Sequence, residues 1–235
     1  MKAKTILEHI ASRNYVDEDG EIYRAILLPG LSIDEIQFFA KRLPGEKVPE
    51  EIKELLLYAR GFTFYGLEEI SFMGMEEGWF DLLFSNYILL AHDGSGNYWC
   101  LLIDEAGNWG AVYYVCRDPY VIVKHSESLA DFLHHVSEYG EKGTLSYLNS
   151  ICENRCYEIS NKNEGVICRN TALKMDDVLS EFASRFDEEY YIADLRNKPI
   201  SLGCNLEKAD EIIKHERELL WAFKLKQGWF KKLFG

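Results

Sequence analysis

The sequence predicts an α+β fold: an antiparallel meander sheet covered by helices, with a mainly helical C-terminal extension. Three observations carry this. Two segments between residues 32 and 60 place apolar side chains at helical spacing behind helix-start signals. Four apolar runs between residues 87 and 124 then follow one another across short connections rich in Gly, Asn and Asp. A further capped helix begins at Ser128.

Residues 1–30 are mixed in pattern. Tyr23–Leu28 reads as a short strand, ended by Pro29-Gly30. Ser32 opens a helix with Glu35 three residues on, a capping box in which each side chain satisfies the other residue's backbone N–H. Ile36, Phe39, Ala40 and Leu43 supply its apolar face, and Pro44-Gly45 stops it. A second helix has Pro49 in its first turn, Glu50 and Glu51 at the positive end of the dipole, and Ile52, Leu55, Leu56 and Ala59 as its stripe. Arg60 falls in its last turn, with Gly61 as C-cap.

The four apolar runs are Tyr87–Ala91, Tyr98–Ile103, Trp109–Val115 and Tyr120–Lys124. The turns are His92–Asn97, Asp104–Asn108 and Arg117–Pro119. Connections this short join neighbouring antiparallel strands. A sheet with one face solvated needs helices on the other, and the flanking helices supply them. Ser128 with Asp131 caps the exit helix, which carries Leu129, Phe132, Leu133 and Val136.

This places one domain at 1–142 and a mainly helical extension at 143–235. In the extension, a short hairpin is expected from Cys156 to Cys168, turning at Asn161–Gly165. A helix is expected through Val178–Phe186, a strand at Tyr190–Ala193, and a long helix near 206–226. No Pro/Gly/Ser-rich linker divides the two parts, so the extension is expected to pack on the domain.

The net charge of −13 disfavours binding to a phosphate backbone and suits either solubility or a basic protein partner. No apolar run reaches the length of a membrane span, and the N-terminal segment has no signal-peptide core. Six cysteines without a secretion signal read as reduced thiols, hence a cytoplasmic location. The basic, aromatic tail Lys224–Gly235 reads as docking on its own acidic domain rather than as a membrane anchor.

Candidate chemistry is thin, and no catalytic set, metal or cofactor is expected. Asp93, Ser95, Asn97 and Asp104 take positions of a calcium loop, but Tyr98 stands where that loop needs Gly, and a strand follows. The same string works as a hairpin turn. Gly94-Ser-Gly96 lacks the spacing of a nucleophile elbow, and adjacent His92 alone makes no dyad. Cys152, Cys156 and Cys168, with His134-His135 before them, lack paired zinc spacing. The remaining candidate is a partner-binding face. Its acidic members are Glu76, Glu77, Asp81, Asp93, Asp104 and Glu105; Asn97, Trp79, Trp99 and Trp109 complete it. Aromatics give desolvated contact area and carboxylates steer a basic partner. The competing reading is a solvated acidic rim over a buried aromatic core.

Several strings together resemble the SMI1/KNR4 family of the SUKH superfamily. They are Leu31–Phe39, Val48–Phe62, Leu90–Asp104, Trp109–Tyr113 and Ser126–Leu133. Two departures stand out: Leu129 where Phe is usual, and Arg60-Gly61-Phe62-Thr63 where an Asn-Gly-Gly string is usual. The resemblance covers residues of about 30–140. It implies a non-catalytic protein-binding module. Bacterial members are commonly immunity proteins that neutralise a toxin domain by direct binding. Fungal members regulate cell-wall glucan synthesis through protein contacts. A small-ligand sensor is the third alternative.

Overall fold

Ala3, Ile6, Leu7 and Ile10 share one buried face of helix α1 (Ala3–Ser12), a helix inside the stretch read as mixed. A computed structural model describes residues 1–75 and 79–225, the side chain of Trp79 excepted. A small hairpin follows, β1 (Tyr15–Val16) with β2 (Ile22–Tyr23), and then β3 (Ile26–Pro29). Helix α2 (Ile33–Ala40) carries the expected capping box: Ser32 N–H donates to Glu35 Oε2 at 2.8 Å, and Glu35 N–H to Ser32 Oγ at 3.3 Å.

Helix α3 (Glu50–Tyr58) stops earlier than expected, because Ala59 is already extended. Ala59 begins β4 (Ala59–Phe64), which pairs with β3 and with β5 (Glu68–Ser71). Gly61 is therefore a strand residue rather than a C-cap. A Cβ there would lie 2.3 Å from the Ile70 carbonyl oxygen, so only glycine lets the strands approach this closely.

The meander forms as read: β6 (Tyr87–His92), β7 (Tyr98–Ile103), β8 (Trp109–Arg117) and β9 (Tyr120–Ser126), then helix α4 (Leu129–Lys142). Its side chains alternate, apart from bulges that break the register at Leu90, near Leu102 and at His125. Ile88, Leu90, Trp99, Leu101, Val112, Tyr114, Val121 and Val123 face one core, shared with α1, α3 and α4. Tyr87, Leu89, Cys100, Tyr113, Val115 and Ile122 face a second core.

That second face is not solvated. The chain continues through α5 (Tyr147–Ser150), a π-turn at 151–155, α6 (Cys156–Lys162), β10 (Val166–Cys168), α7 (Arg169–Ala172), α8 (Asp177–Ser184), β11 (Tyr190–Asp194), β12 (Gly203–Asn205), β13 (Ala209–Lys214) and β14 (Leu220–Leu225). Strand β12 joins the meander beside β9, giving the order β12-β9-β8-β7-β6. Strands β10-β11-β14-β13 make a separate antiparallel sheet. Trp221 and Phe223 press one face of it onto the meander, while Leu220 and Ala222 meet α7 and α8 on the other. The layers run helix, sheet, sheet, helix.

Two expectations for the extension are corrected here. The hairpin at Cys156–Cys168 is helix α6, a turn, and the single strand β10. The long helix near 206–226 is the hairpin β13–β14. A strand buried on both faces loses its alternation, and Leu220-Trp-Ala-Phe-Lys-Leu225 is then hard to distinguish from a buried helix. The extension is thus mixed, with helices first and a sheet last. The basic tail beyond Leu225 lies outside the described residues.

Candidate functional site: an acidic groove between the two sheets

Two hairpin turns of the meander use one device. Asp93 Oδ1 accepts the backbone N–H of Asn97 at 3.2 Å, and Asp93 Oδ2 accepts the Asn97 amide at 2.6 Å. Asp104 holds Asn108 in the same way, at 2.8 Å for both bonds. Gly96 and Gly107 supply the positive φ each turn needs. These hydrogen bonds from Asn108 hold the Asp104 carboxyl below the usual carboxylate range. Asp93 and Asp104 are therefore turn-forming residues first.

The turns lie at opposite ends of strand β7. The Asp104 turn borders a groove of about 620 Å³ between the meander and the β13–β14 hairpin. Its floor is apolar, with half-buried Leu102 and Leu219 over the buried side chains of Leu83 and Phe84. Its walls are charged: Asp104 and Glu105 on one side, Glu216, Arg217 and Glu218 on the other. An adjoining hollow of about 290 Å³ shares Ser85, Asn86 and Ile103 with it and adds Arg42 and Asp81.

Hydrogen bonds fix the walls. Trp221 Nε1–H donates to the Leu83 carbonyl at 3.0 Å, a bond fully buried between the sheets. Lys214 Nζ donates to the carbonyls of Asp81 at 2.6 Å and Phe84 at 3.2 Å. Partial burial pushes the Lys214 ammonium down from the usual lysine value. His215 Nδ1 accepts the backbone N–H groups of Arg217 and Glu218, each at 3.1 Å, and shapes the hairpin tip. Across the groove, Arg217 Nε lies 3.3 Å from Glu105 Oε1, with both side chains about 70% exposed.

Of the residues singled out from the sequence, Asp81, Asp104 and Glu105 come together around this groove. Asp81 also accepts a hydrogen bond from the Tyr87 hydroxyl at 3.1 Å. Asp93 and Asn97 sit at the far turn, where Asn97 Oδ1 accepts the Arg117 N–H at 2.8 Å. Trp99 is corrected: it is 1% exposed, packed against Tyr114 and Phe132, and offers a partner no surface. Trp109 is half-buried and lines a different hollow, with Pro49 and Leu129. Glu76, Glu77 and the Trp79 side chain lie outside the described residues. Sequence reasoning missed Glu216, Arg217 and Glu218. The charged string His215–Glu218 between two apolar runs was the available signal of a hairpin turn.

A second polar cluster joins the two halves, with His125 and Ser126 fully buried and His135, Tyr147 and Ser201 half-buried. His125 Nδ1 lies 2.8 Å from Ser126 Oγ, which lies 3.0 Å from His135 Nδ1. The Tyr147 hydroxyl donates to the His125 carbonyl at 3.3 Å and lies 2.9 Å from Ser201 Oγ. His125 Nε2 is buried without a partner. An unpaired acceptor there costs less than an unpaired N–H. The tautomer with the proton on Nδ1 is therefore favoured, donating to Ser126, which in turn donates to His135. This is a serine between two histidines, but Ser126 and His125 are fully buried, so the cluster presents no accessible nucleophile.

Among the described residues, no group of three or more His, Cys, Asp or Glu is arranged to hold a metal ion, and no helix is long and apolar enough to cross a membrane.

Residues 30–135 match the SMI1/KNR4 family (SUKH-1). No curated protein and no solved structure matches the chain.

Proposed function

We propose, from the match of residues 30–135 to the SMI1/KNR4 family (SUKH-1), that the protein is a non-catalytic protein-binding module. Its most specific reading is a bacterial immunity protein that neutralises a toxin domain by direct contact. The observation that carries the proposal is the groove between the two sheets: an apolar floor walled by Glu105, Glu216 and Glu218, on a chain of net charge −13. Carboxylates at a rim accelerate encounter with a basic surface, and the desolvated floor supplies contact energy. The groove is half open to solvent, which suits a partner's surface segment better than an enclosed small molecule. The reading also assigns the protein to the cytoplasm, with residues 143–225 acting as the second wall of the site.

The test is growth rescue. The chain is co-expressed with whichever toxin-domain protein its gene neighbourhood encodes, and growth should recover; a neighbourhood without one counts against the reading. Charge reversal at Glu105, Glu216 and Glu218 together should abolish recovery while the protein stays folded by circular dichroism. No rescue by the unaltered chain would sink the immunity reading. Full rescue by the folded triple variant would sink the groove.

A further inference from the structure

The groove is already holding a cation, and that cation belongs to the chain itself. Arg217 projects from the tip of the β13–β14 hairpin and pairs with Glu105 on the opposite wall at 3.3 Å. Its neighbours on the tip are Glu216 and Glu218. The tip is held independently of that ion pair. His215 Nδ1 accepts two of its backbone N–H groups, and Ser85 Oγ donates to the Glu216 carbonyl at 3.3 Å. Arg217 can therefore swing away without unfolding the hairpin.

We propose that Arg217 is an internal stand-in for the basic side chain of a protein partner. The occupant of the groove is an extended segment carrying lysine or arginine alternating with apolar residues. Its cation displaces Arg217 from Glu105 and its apolar side chains cover the half-buried Leu102 and Leu219. The charges argue for this occupant. With Arg217 in place, Glu105 is neutralised. With Arg217 displaced, the walls present Glu105, Glu216 and Glu218 together to the incoming segment. The exchange is easy because the existing pair is about 70% exposed on both sides, and exposed ion pairs are weak and screened by salt. The contact thus sets a threshold: a segment must bring its own cation and its own apolar area to replace it. This inference rests on the groove being the binding site.

The experiment measures fluorescence anisotropy of a fluorescein-labelled octapeptide of alternating lysine and leucine, added to the full chain at low salt and at 0.15 M. R217A should bind about 3- to 5-fold more tightly than the unaltered chain, the range an exposed ion pair commands. K142A is the control for the loss of one positive charge. Lys142 is an exposed, ion-paired cation at the far end of α4, and its removal should change affinity less than about 2-fold, because distant exposed charges are screened. In an E105Q background, R217A should give no more gain than K142A does. If R217A matches K142A in the unaltered background, the stand-in role is wrong. If the triple variant E105Q/E216Q/E218Q binds the peptide as well as the unaltered chain does, the groove itself is wrong. The two failures are thereby told apart.

Discussion

Two of the polar junctions between the halves of the molecule are of opposite character. The cluster of His125, Ser126, His135, Tyr147 and Ser201 runs from the packed interior, where His125 and Ser126 are fully buried, to three half-buried members. The Glu105–Arg217 contact stands at the surface, over a groove. Burial decides what each can do. A buried polar group that loses its partner bears the full desolvation cost, so the first junction fixes how the halves sit. An exposed ion pair exchanges for water or another ion at little cost, so the second is free to serve a partner. Between them runs the apolar contact of the two sheets, which holds the groove's walls at a set spacing whether or not the ion pair is made.

The largest effect should therefore come from that apolar contact. Trp221 is fully buried between the sheets and ties Leu83 by its indole N–H. Trp221→Ala should lower stability by about 3–5 kcal/mol, read as a lower urea midpoint. The loss should also disable the groove, since Leu83 lies beneath its floor and the β13–β14 hairpin forms one wall. Unchanged stability would mean that the second sheet does not hold the first.

Acid should separate the junctions next. Burial, with a smaller contribution from His135, holds His125 down to about 3, against about 6.5 when unfolded. A group depressed in the fold must bind a proton on unfolding. Its stability contribution is thus complete above about pH 6.5 and is lost progressively as pH falls toward 3. Between pH 7 and pH 5 the loss should approach about 2 kcal/mol. His135 is also held low by burial and shifts in the same direction. Urea denaturation at the two pH values measures the difference, and His125→Phe should shrink it by at least half. An equal pH dependence in that variant would assign acid sensitivity to other groups.

How much of this was legible differs between the halves for a physical reason. The meander was readable because its turns carry their own chemistry: Asp93 with Asn97, and Asp104 with Asn108, fix two hairpins locally. The capping pairs Ser32–Glu35 and Ser128–Asp131 are equally local. Helix α1 has its apolar spacing but no side-chain cap, and so passed unread. In the second half, β14 is covered on both sides by residues distant in sequence, and the period that marks a strand disappears. The candidate face failed in part for the same reason. Trp99 looked like an anchor, yet its environment is set by α4 and β8, which no local pattern reveals. Asp104 and Glu105 were found because turns are exposed almost by necessity.

A smaller effect should appear at the edge of the buried cluster. Tyr147→Phe removes the hydroxyl shared between the His125 carbonyl and Ser201 but keeps the ring against His135. About 1 kcal/mol of stability should be lost at pH 7, the net worth of a typical intramolecular hydrogen bond. Hydrogen exchange should quicken around Ser201 and β12, the segment this hydroxyl ties to α5, and leave the groove unaffected. Quickened exchange at residues 215–218 would show that the two junctions are coupled after all.

The smallest stability effect should belong to the residues assigned the largest role in recognition. A double-mutant cycle on Glu105→Gln and Arg217→Ala, read by urea denaturation, should give a coupling energy below about 0.5 kcal/mol, because both side chains remain largely hydrated in the fold. The same cycle read by peptide affinity should give a clearly larger coupling, because an occupant excludes the water that weakens the pair in the free chain. A large coupling in stability with none in binding would make the ion pair a structural clasp and reverse the division of labour between the two junctions.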